Sequence, residues 1–351
     1  MSSELPVLRW GIIATGLISS WFVKDLALSR PDAKAKHIIQ AIGSSSSEKG
    51  KAFAEKHLPG LQPTIYPSYE EVYNDANVDI VYIGTPHAFH KQNCLDAIRA
   101  GKHVLCEKSF TLNAKDAKEV FNAANTKNVF VMEAMWTRFR PLTLALRKMI
   151  HEDKAIGDVR RVLCDFGLHQ DIAALGPESR LKNPALGAGS LLDIGIYSLT
   201  WGLLTLDAGT GTTAQNPKIL AAQSLESGVD LASTMILLYP NGAQGILTSA
   251  TYAKSPKPFC RIEGSKGVIT VEGPAASMPT SFTVEPKEGE VQTHDFSAPG
   301  MGFYYEADAV ALNITASKTE DDIMPWAETT RVLELLDEVR NQGGVKFPHE
   351  N

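Results

Sequence analysis

Five short strings in this chain hold residue types and spacings that could do chemistry. The first, Gly11-Ile12-Ile13-Ala14-Thr15-Gly16-Leu17-Ile18-Ser19, has the spacing of a tight strand-to-helix turn whose backbone N–H groups face a dinucleotide pyrophosphate at the helix N-terminus. Thr85-Pro86-His87-Ala88-Phe89-His90, Glu107-Lys108 and Glu133-Ala134-Met135-Trp136-Thr137-Arg138 each follow a predicted parallel strand, at the edge where open α/β sheets bind ligands. The fifth, 187–197, puts Asp193 and Tyr197 four residues apart, on one face of a helix. His87, His90 and Cys94, with His103 and Cys106, also invite a metal reading. His103 and Cys106 stand three apart on a strand and face opposite sides, so no metal is expected.

The choice of dinucleotide turns on the second strand. An NAD site usually places Asp or Glu about 20 residues beyond the glycines, on the ribose 2′-hydroxyl. Residues 33–47 contain no acid, and the strand ends in Gly43-Ser44-Ser45-Ser46-Ser47, with Lys49 close behind. Ser44 and Ser45 suit a 2′-phosphate, which favours NADP. The same serines also suit the cap of a helix from Glu48.

The elements that must position these strings read as an α/β chain. Strand-like runs at 7–13, 37–43, 79–84, 103–106 and 129–132 alternate with helical segments, the signature of parallel βαβ units in a Rossmann sheet. In the first helix, Ile18, Trp21, Phe22 and Leu26 are expected to form the stripe that packs on the sheet. Beyond about residue 150 the runs lengthen, at 160–169, 231–239, 243–252, 268–272 and 281–285, and predict an α+β domain with an open, mostly antiparallel sheet of five or six strands. Helices are expected near 189–206, 304–315 and 326–341. The expected domains are 1–150 and 151–351, with the last helix free to pack back on the first.

With 351 residues, 44% hydrophobic and 21% charged, the chain is long enough for about two domains. Its net charge of -6 arises without like-charge blocks, which excludes a nucleic-acid patch or a polybasic membrane anchor. Cys94, Cys106, Cys164 and Cys260 are too scattered for a disulfide framework and point to a reducing, cytoplasmic compartment. Met-Ser-Ser-Glu-Leu-Pro lacks the features of a signal peptide, and no run is expected to approach the length of a membrane span.

In order and spacing, Thr85-Pro86-His87 with His90, then Ala100-Gly101-Lys102-His103-Val104-Leu105-Cys106-Glu107-Lys108, then Asp193-x-Gly195-x-Tyr197, resemble the glucose–fructose oxidoreductase/inositol dehydrogenase family, Gfo/Idh/MocA. Glu133-Ala-Met-Trp136-Thr-Arg138-Phe is most similar to its subgroup of dimeric dihydrodiol dehydrogenases and NADP-dependent D-xylose 1-dehydrogenases. The family usually has proline at Ser109 and glycine at Ala14.

The resemblance implies a Rossmann domain, a substrate domain and a homodimer through the open sheet. It implies an active-site lysine at Lys108, a cofactor contact at Glu107 and a substrate-side polar pair in Asp193 and Tyr197. Hydride leaves an alcohol carbon only if a base takes the hydroxyl proton, and an unperturbed Tyr or Lys is too weak a base at neutral pH. Tyr197 is therefore assigned the proton transfer with Lys108 as activator, an order that can be exchanged. Trp136 and Phe166 are expected as apolar walls of the site, and Arg138 as either a ligand contact or a surface ion pair. His90 either approaches the nicotinamide or starts a helix. The implied activity is oxidation of an aldose such as D-xylose at the anomeric carbon, or of a trans-dihydrodiol. The alternatives are another polyol substrate of the same family and a non-catalytic NADP-sensing regulator.

Overall fold

The computed structural model describes residues 4–348. The start of Met-Ser-Ser-Glu-Leu-Pro, residues 1–3, lies outside the described residues. The chain forms two compact units. The first comprises Met1–Thr111, Lys115–Phe139 and Pro299–Trp326, and the second Leu112–Ala114, Arg140–Ala298 and Ala327–Asn351. The division thus falls near 140, where a boundary at 150 was expected. The segment that rejoins the first unit is Pro299–Trp326, while most of the terminal helix belongs to the second.

In the first unit, β1 (Val7–Ile13), α1 (Leu17–Leu26), β2 (Lys36–Gly43), α2 (Ser47–His57), β3 (Thr64–Tyr66), α3 (Tyr69–Asn74), β4 (Ile80–Ile83), α4 (His90–Arg99), β5 (His103–Glu107), α5 (Ala114–Lys127) and β6 (Val131–Ala134) follow in order. The six strands are parallel in the order β3-β2-β1-β4-β5-β6. That is the dinucleotide-binding order, and it reverses between β1 and β4, where the glycine turn and Thr85 emerge. Ile80-Val81-Tyr82-Ile83 is fully buried, as a central parallel strand must be. On α1 the buried apolar set is Phe22, Val23 and Leu26, with Phe22 stacked on Tyr82 at 3.8 Å between ring centroids. Ile18 is half-buried and Trp21 is 37% exposed, so the stripe is rotated from the expected one. A three- and four-residue spacing fits both stripes, and only the partner at Tyr82 chooses between them.

In the second unit, α6 (Pro141–His151) precedes β7 (Val159–Gly167), α7 (Ile196–Leu206), β8 (Lys218–Glu226), β9 (Val229–Leu238), β10 (Gln244–Ala250), β11 (Cys260–Gly264), β12 (Gly267–Glu272), β13 (Ser281–Pro286) and β14 (Gln292–Asp295). After α8 (Tyr304–Thr315), which lies in the first unit, α9 (Trp326–Gly343) closes the chain. The eight strands run β14-β13-β12-β11-β7-β10-β9-β8 and are antiparallel except for the β7–β10 pair. The sheet therefore has eight strands where five or six were expected. The strands not expected are the edge strands β8 and β14 and the inner five-residue β11; in the first unit the unexpected β3, Thr-Ile-Tyr between Pro63 and Pro67, is β-forming in composition but only three residues long.

Helix α7 packs on β7 and β10 and is buried along its whole length. The helical stretch Pro184–Leu206 that ends in it has the length and mean hydropathy, 1.2, of a membrane span, so the expectation that no run comes near one was too strict. Of its most apolar 18-residue window 94% is buried inside the unit, which reads as a core helix. On β9 the inward Met235 and Leu237 are buried, while Ile236 and Leu238 are 38% and 39% exposed on the other face.

Candidate active site

The glycine turn stands at the carboxyl end of β1, as expected. Gly16 caps α1 in extended conformation with no side-chain cap, leaving the first-turn N–H groups open to an anion. A Cβ at Gly16 would come no closer than 4.0 Å to its nearest neighbour, the Gly84 carbonyl. Packing within the unit does not demand glycine there; close approach of a ligand does, so the turn fits a dinucleotide. Gly11 has a different reason for being glycine, since a Cβ would meet Val72 at 2.5 Å and Val78 at 3.0 Å. Its role is to let α3 close on β1.

Ala14, where the resembled family has glycine, sits at φ 76°, in the left-handed region. A Cβ costs about 1 kcal/mol in that region. Ala14→Gly is therefore expected to stabilise the protein by no more than about 0.5 kcal/mol, measured by denaturant unfolding, after the loss of unfolded-chain rigidity is subtracted.

The serine end of β2 meets this turn. Thr15 Oγ1 lies 3.4 Å from Ser44 Oγ, and Lys49 Nζ donates to Ser45 Oγ at 3.1 Å. Ser46 caps α2 by accepting the Lys49 backbone N–H at 3.3 Å. The serines thus divide, with Ser46 as the cap and Ser44 and Ser45 placed beside the turn. Leu17 is 65% exposed on the first turn of α1, with Ile18 half-buried next to it.

The loops after β4 and β5 are tied together. His90 starts α4 and is fully buried, with Nδ1 2.9 Å from the Ser109 carbonyl and Nε2 2.7 Å from the Thr85 carbonyl. Burial holds its pKa below the ordinary histidine value. The neutral ring has a single N–H and donates to one carbonyl at a time. Asn93 donates to Thr85 Oγ1 at 3.2 Å, Glu133 Oε1 accepts the Phe110 N–H at 3.1 Å, and the Tyr82 hydroxyl donates to Glu107 Oε1 at 2.6 Å. Ser109 is completely buried. The loop bearing the half-buried Lys108 is fixed by these neighbours, although proline is missing from it.

The 3-10 turn Trp136–Phe139 follows β6. Trp136 stacks on Phe303 at 4.5 Å, and Phe303 meets Phe22 at 6.2 Å. Arg138 is 1% exposed, which removes its reading as a surface ion pair. Phe303 was not among the expected residues. Its signal lies in Gly300-Met301-Gly302-Phe303, where Gly300 and Gly302 take φ 67° and 96° and Asp25 accepts the N–H groups of Met301, Gly302 and Phe303. The contact joins residues nearly 280 positions apart and could not be read from either string alone.

His87 and His90 stand edge to face at 5.6 Å, and His103 Nδ1 accepts the Phe130 N–H. Among the described residues no three His, Cys, Asp or Glu side chains converge as a metal site. All four cysteines are free and buried.

In the second unit, Asp193 and Tyr197 straddle a change of helix type. Leu191–Gly195 is a π-helical turn, and Tyr197 lies in the first turn of α7. The helix that carries the pair therefore begins as a π turn instead of a regular α-helix. Tyr197, 4% exposed, contacts Phe166 with ring centroids 5.6 Å apart. Asp193 Oδ1 accepts from Arg180 at 3.2 Å. Asp230, 2% exposed, accepts the Ser190 hydroxyl at 2.9 Å, the Leu191 N–H at 2.7 Å and the Ser233 hydroxyl at 2.8 Å, and so holds the start of this helix. Burial raises the Asp230 pKa, with the hydrogen bonds working against it. Asp230 was also missed, since a lone acid in a strand-like run gives no sign of the helix it caps.

The Rossmann-fold model of the oxidoreductase family matches residues 8–135, and the GFO/IDH/MocA C-terminal domain matches 143–270. The chain belongs to the GFO/IDH/MocA oxidoreductase family. A D-xylose 1-dehydrogenase (NADP(+)) of Hypocrea jecorina is 35% identical over 99% of this chain and 95% of its own length. A trans-1,2-dihydrobenzene-1,2-diol dehydrogenase of Sus scrofa is 35% identical over 98% of this chain and 99% of its own. Among solved structures, an aldose-aldose oxidoreductase from Caulobacter crescentus shares the fold with a TM-score of 0.79 at 24% identity, covering 96% and 97% of the two chains. A 3-ketoreductase from Actinomadura kijaniata shares it at 0.78 and 22%, covering 96% and 98%.

Proposed function

We propose that this GFO/IDH/MocA oxidoreductase uses NADP to oxidise the anomeric carbon of an aldose such as D-xylose, giving the lactone, or a trans-dihydrodiol. The observation that carries the cofactor choice is the meeting of Thr15 with Ser44 at an acid-free strand end, with Lys49 on Ser45. Similarity to a D-xylose and a dihydrodiol dehydrogenase, each over nearly the whole chain, supports the substrate class. Sugar and cyclic diol both present adjacent ring hydroxyls, which one pocket can serve.

In this reading the open N-terminus of α1 and Gly16 hold the pyrophosphate, and Ser44, Ser45 and Lys49 hold the 2′-phosphate. Bound NADP supplies the hydride acceptor. Tyr197 takes the hydroxyl proton, Lys108 lowers the phenol's pKa by its positive charge, and Asp193 orients a substrate hydroxyl or the lysine. Phe166 and Trp136 exclude water from the reacting carbon. Lys49→Ala should weaken NADP about fivefold and leave NAD unchanged, since an exposed charge contact contributes about 1 kcal/mol. Fluorescence titration with both cofactors measures this.

We also propose a homodimer through the outer face of the eight-stranded sheet, supported by the exposed Leu220, Ile236 and Leu238, with Leu220 and Ile236 directly opposite on β8 and β9. The four free thiols support a cytoplasmic location. The deciding assay is NADPH formation with a panel of pentoses, hexoses and cyclic diols. Turnover with xylose or a dihydrodiol is expected, and silence across the panel would remove the substrate assignment.

A further inference from the structure

Glu306, on α8, is completely buried, and neither carboxylate oxygen has a hydrogen-bond partner. The charges acting on it are Glu107, the last residue of β5, and Asp25 of α1, both acidic. The Tyr82 phenol of β4, which donates to Glu107, feels Glu306 as well. Of the other elements on α8, the turn Trp136–Phe139 carries the buried Arg138, and the loop after α1 carries Arg30, which pairs with Asp308 and lies over the Tyr304 ring. A carboxylate in this setting would be buried without a donor beside other acids, so Glu306 is held as the neutral acid. Glu107, at the end of β5, and Glu306 repel each other as carboxylates, so together they keep one titratable proton.

Resting on the reading of Glu107 as a cofactor contact, we infer that Glu306 is a proton store coupled to the redox state of the bound cofactor. Glu306 gives its proton to solvent when the oxidised nicotinamide, a cation, binds near the pair, and takes a proton back when the neutral reduced form replaces it. No bond other than the O–H is made or broken. A cation close to the pair favours its second ionisation, whereas a neutral ring does not.

The test is isothermal titration of the whole protein with NADP+ and with NADPH, in two buffers of different ionisation enthalpy, repeated from pH 7.5 to 9, above the titration of the 2′-phosphate that both carry. Wild-type protein is expected to release up to about one proton per site with NADP+ and none with NADPH. Its NADP+ affinity should rise with pH by up to about tenfold per unit, while its NADPH affinity stays flat. In Glu306→Gln, the same shape without the proton, both the release and the slope should vanish. NADP+ binding without proton release, or release that persists in Glu306→Gln, would overturn the inference. If neither cofactor binds, the cofactor reading itself fails and the inference with it. The wild-type comparison of the two cofactors stands even where the variant does not fold.

Discussion

In the proposed mechanism Lys108→Met lowers turnover by about two to four orders of magnitude, the usual worth of the proton transfer by Tyr197 that Lys108 would activate, while NADP binding changes by no more than a few-fold. The structure confines the damage. Lys108 itself is half-buried, but the loop around it is fixed by other groups: the His90 ring at the Ser109 carbonyl, Glu133 at the Phe110 N–H, and Tyr82 at Glu107. Methionine keeps the unbranched stem of the side chain and removes the ammonium, so the glycine turn and the loop stay as they are. Steady-state rates with xylose or a dihydrodiol, set beside fluorescence titration of cofactor, separate the two effects. Turnover within threefold of wild type would remove Lys108 from the mechanism.

Asp230→Ala has the largest effect expected on stability. It strips the acceptor from three buried donors, the Ser190 and Ser233 hydroxyls and the Leu191 N–H. Each such loss costs about 1 kcal/mol or more, so about 3–4 kcal/mol is expected from the unfolding of the second unit. Gly189 at φ 131° has been shaped to the same carboxylate, since a Cβ there would meet Asp230 Oδ1 at 2.2 Å. Asp193 and Tyr197 ride on the helix that Asp230 anchors, so turnover should fall as well, with cofactor binding retained. Denaturant unfolding of Asp230→Ala and Asp230→Asn measures the loss, and Asn should recover part of it by keeping the side-chain shape. A cost below about 1 kcal/mol for Ala would show that water replaces the carboxylate at the helix start.

The strands of the first unit were legible in the sequence because parallel strands buried on both faces are continuous apolar runs, as in Ile80–Ile83. The three-residue β3, the inner five-residue β11 and the edge strands β8 and β14 were not, since each is either very short or broken by polar residues and gives no sustained apolar or alternating run. The strand-end strings around Gly16, Thr85, Lys108 and Trp136 stood out for a related reason, as each follows directly on such a run.

What the sequence determined by itself is local: which residues end strands, that residues 33–47 hold no acid, and that the strings occur in the order of one oxidoreductase family. Tertiary structure alone decided which of those residues are fixed, and by what. His90 starts α4, and its ring lies between the Thr85 and Ser109 carbonyls, one of which accepts its single N–H. Phe303 under Trp136, Asp230 at the helix start and Glu306 beside Glu107 all come from distant parts of the chain. Periodicity and spacing report a residue's relation to its near neighbours. Burial of a charge, or a contact across nearly 280 residues, is a relation between distant segments and exists only once they have packed.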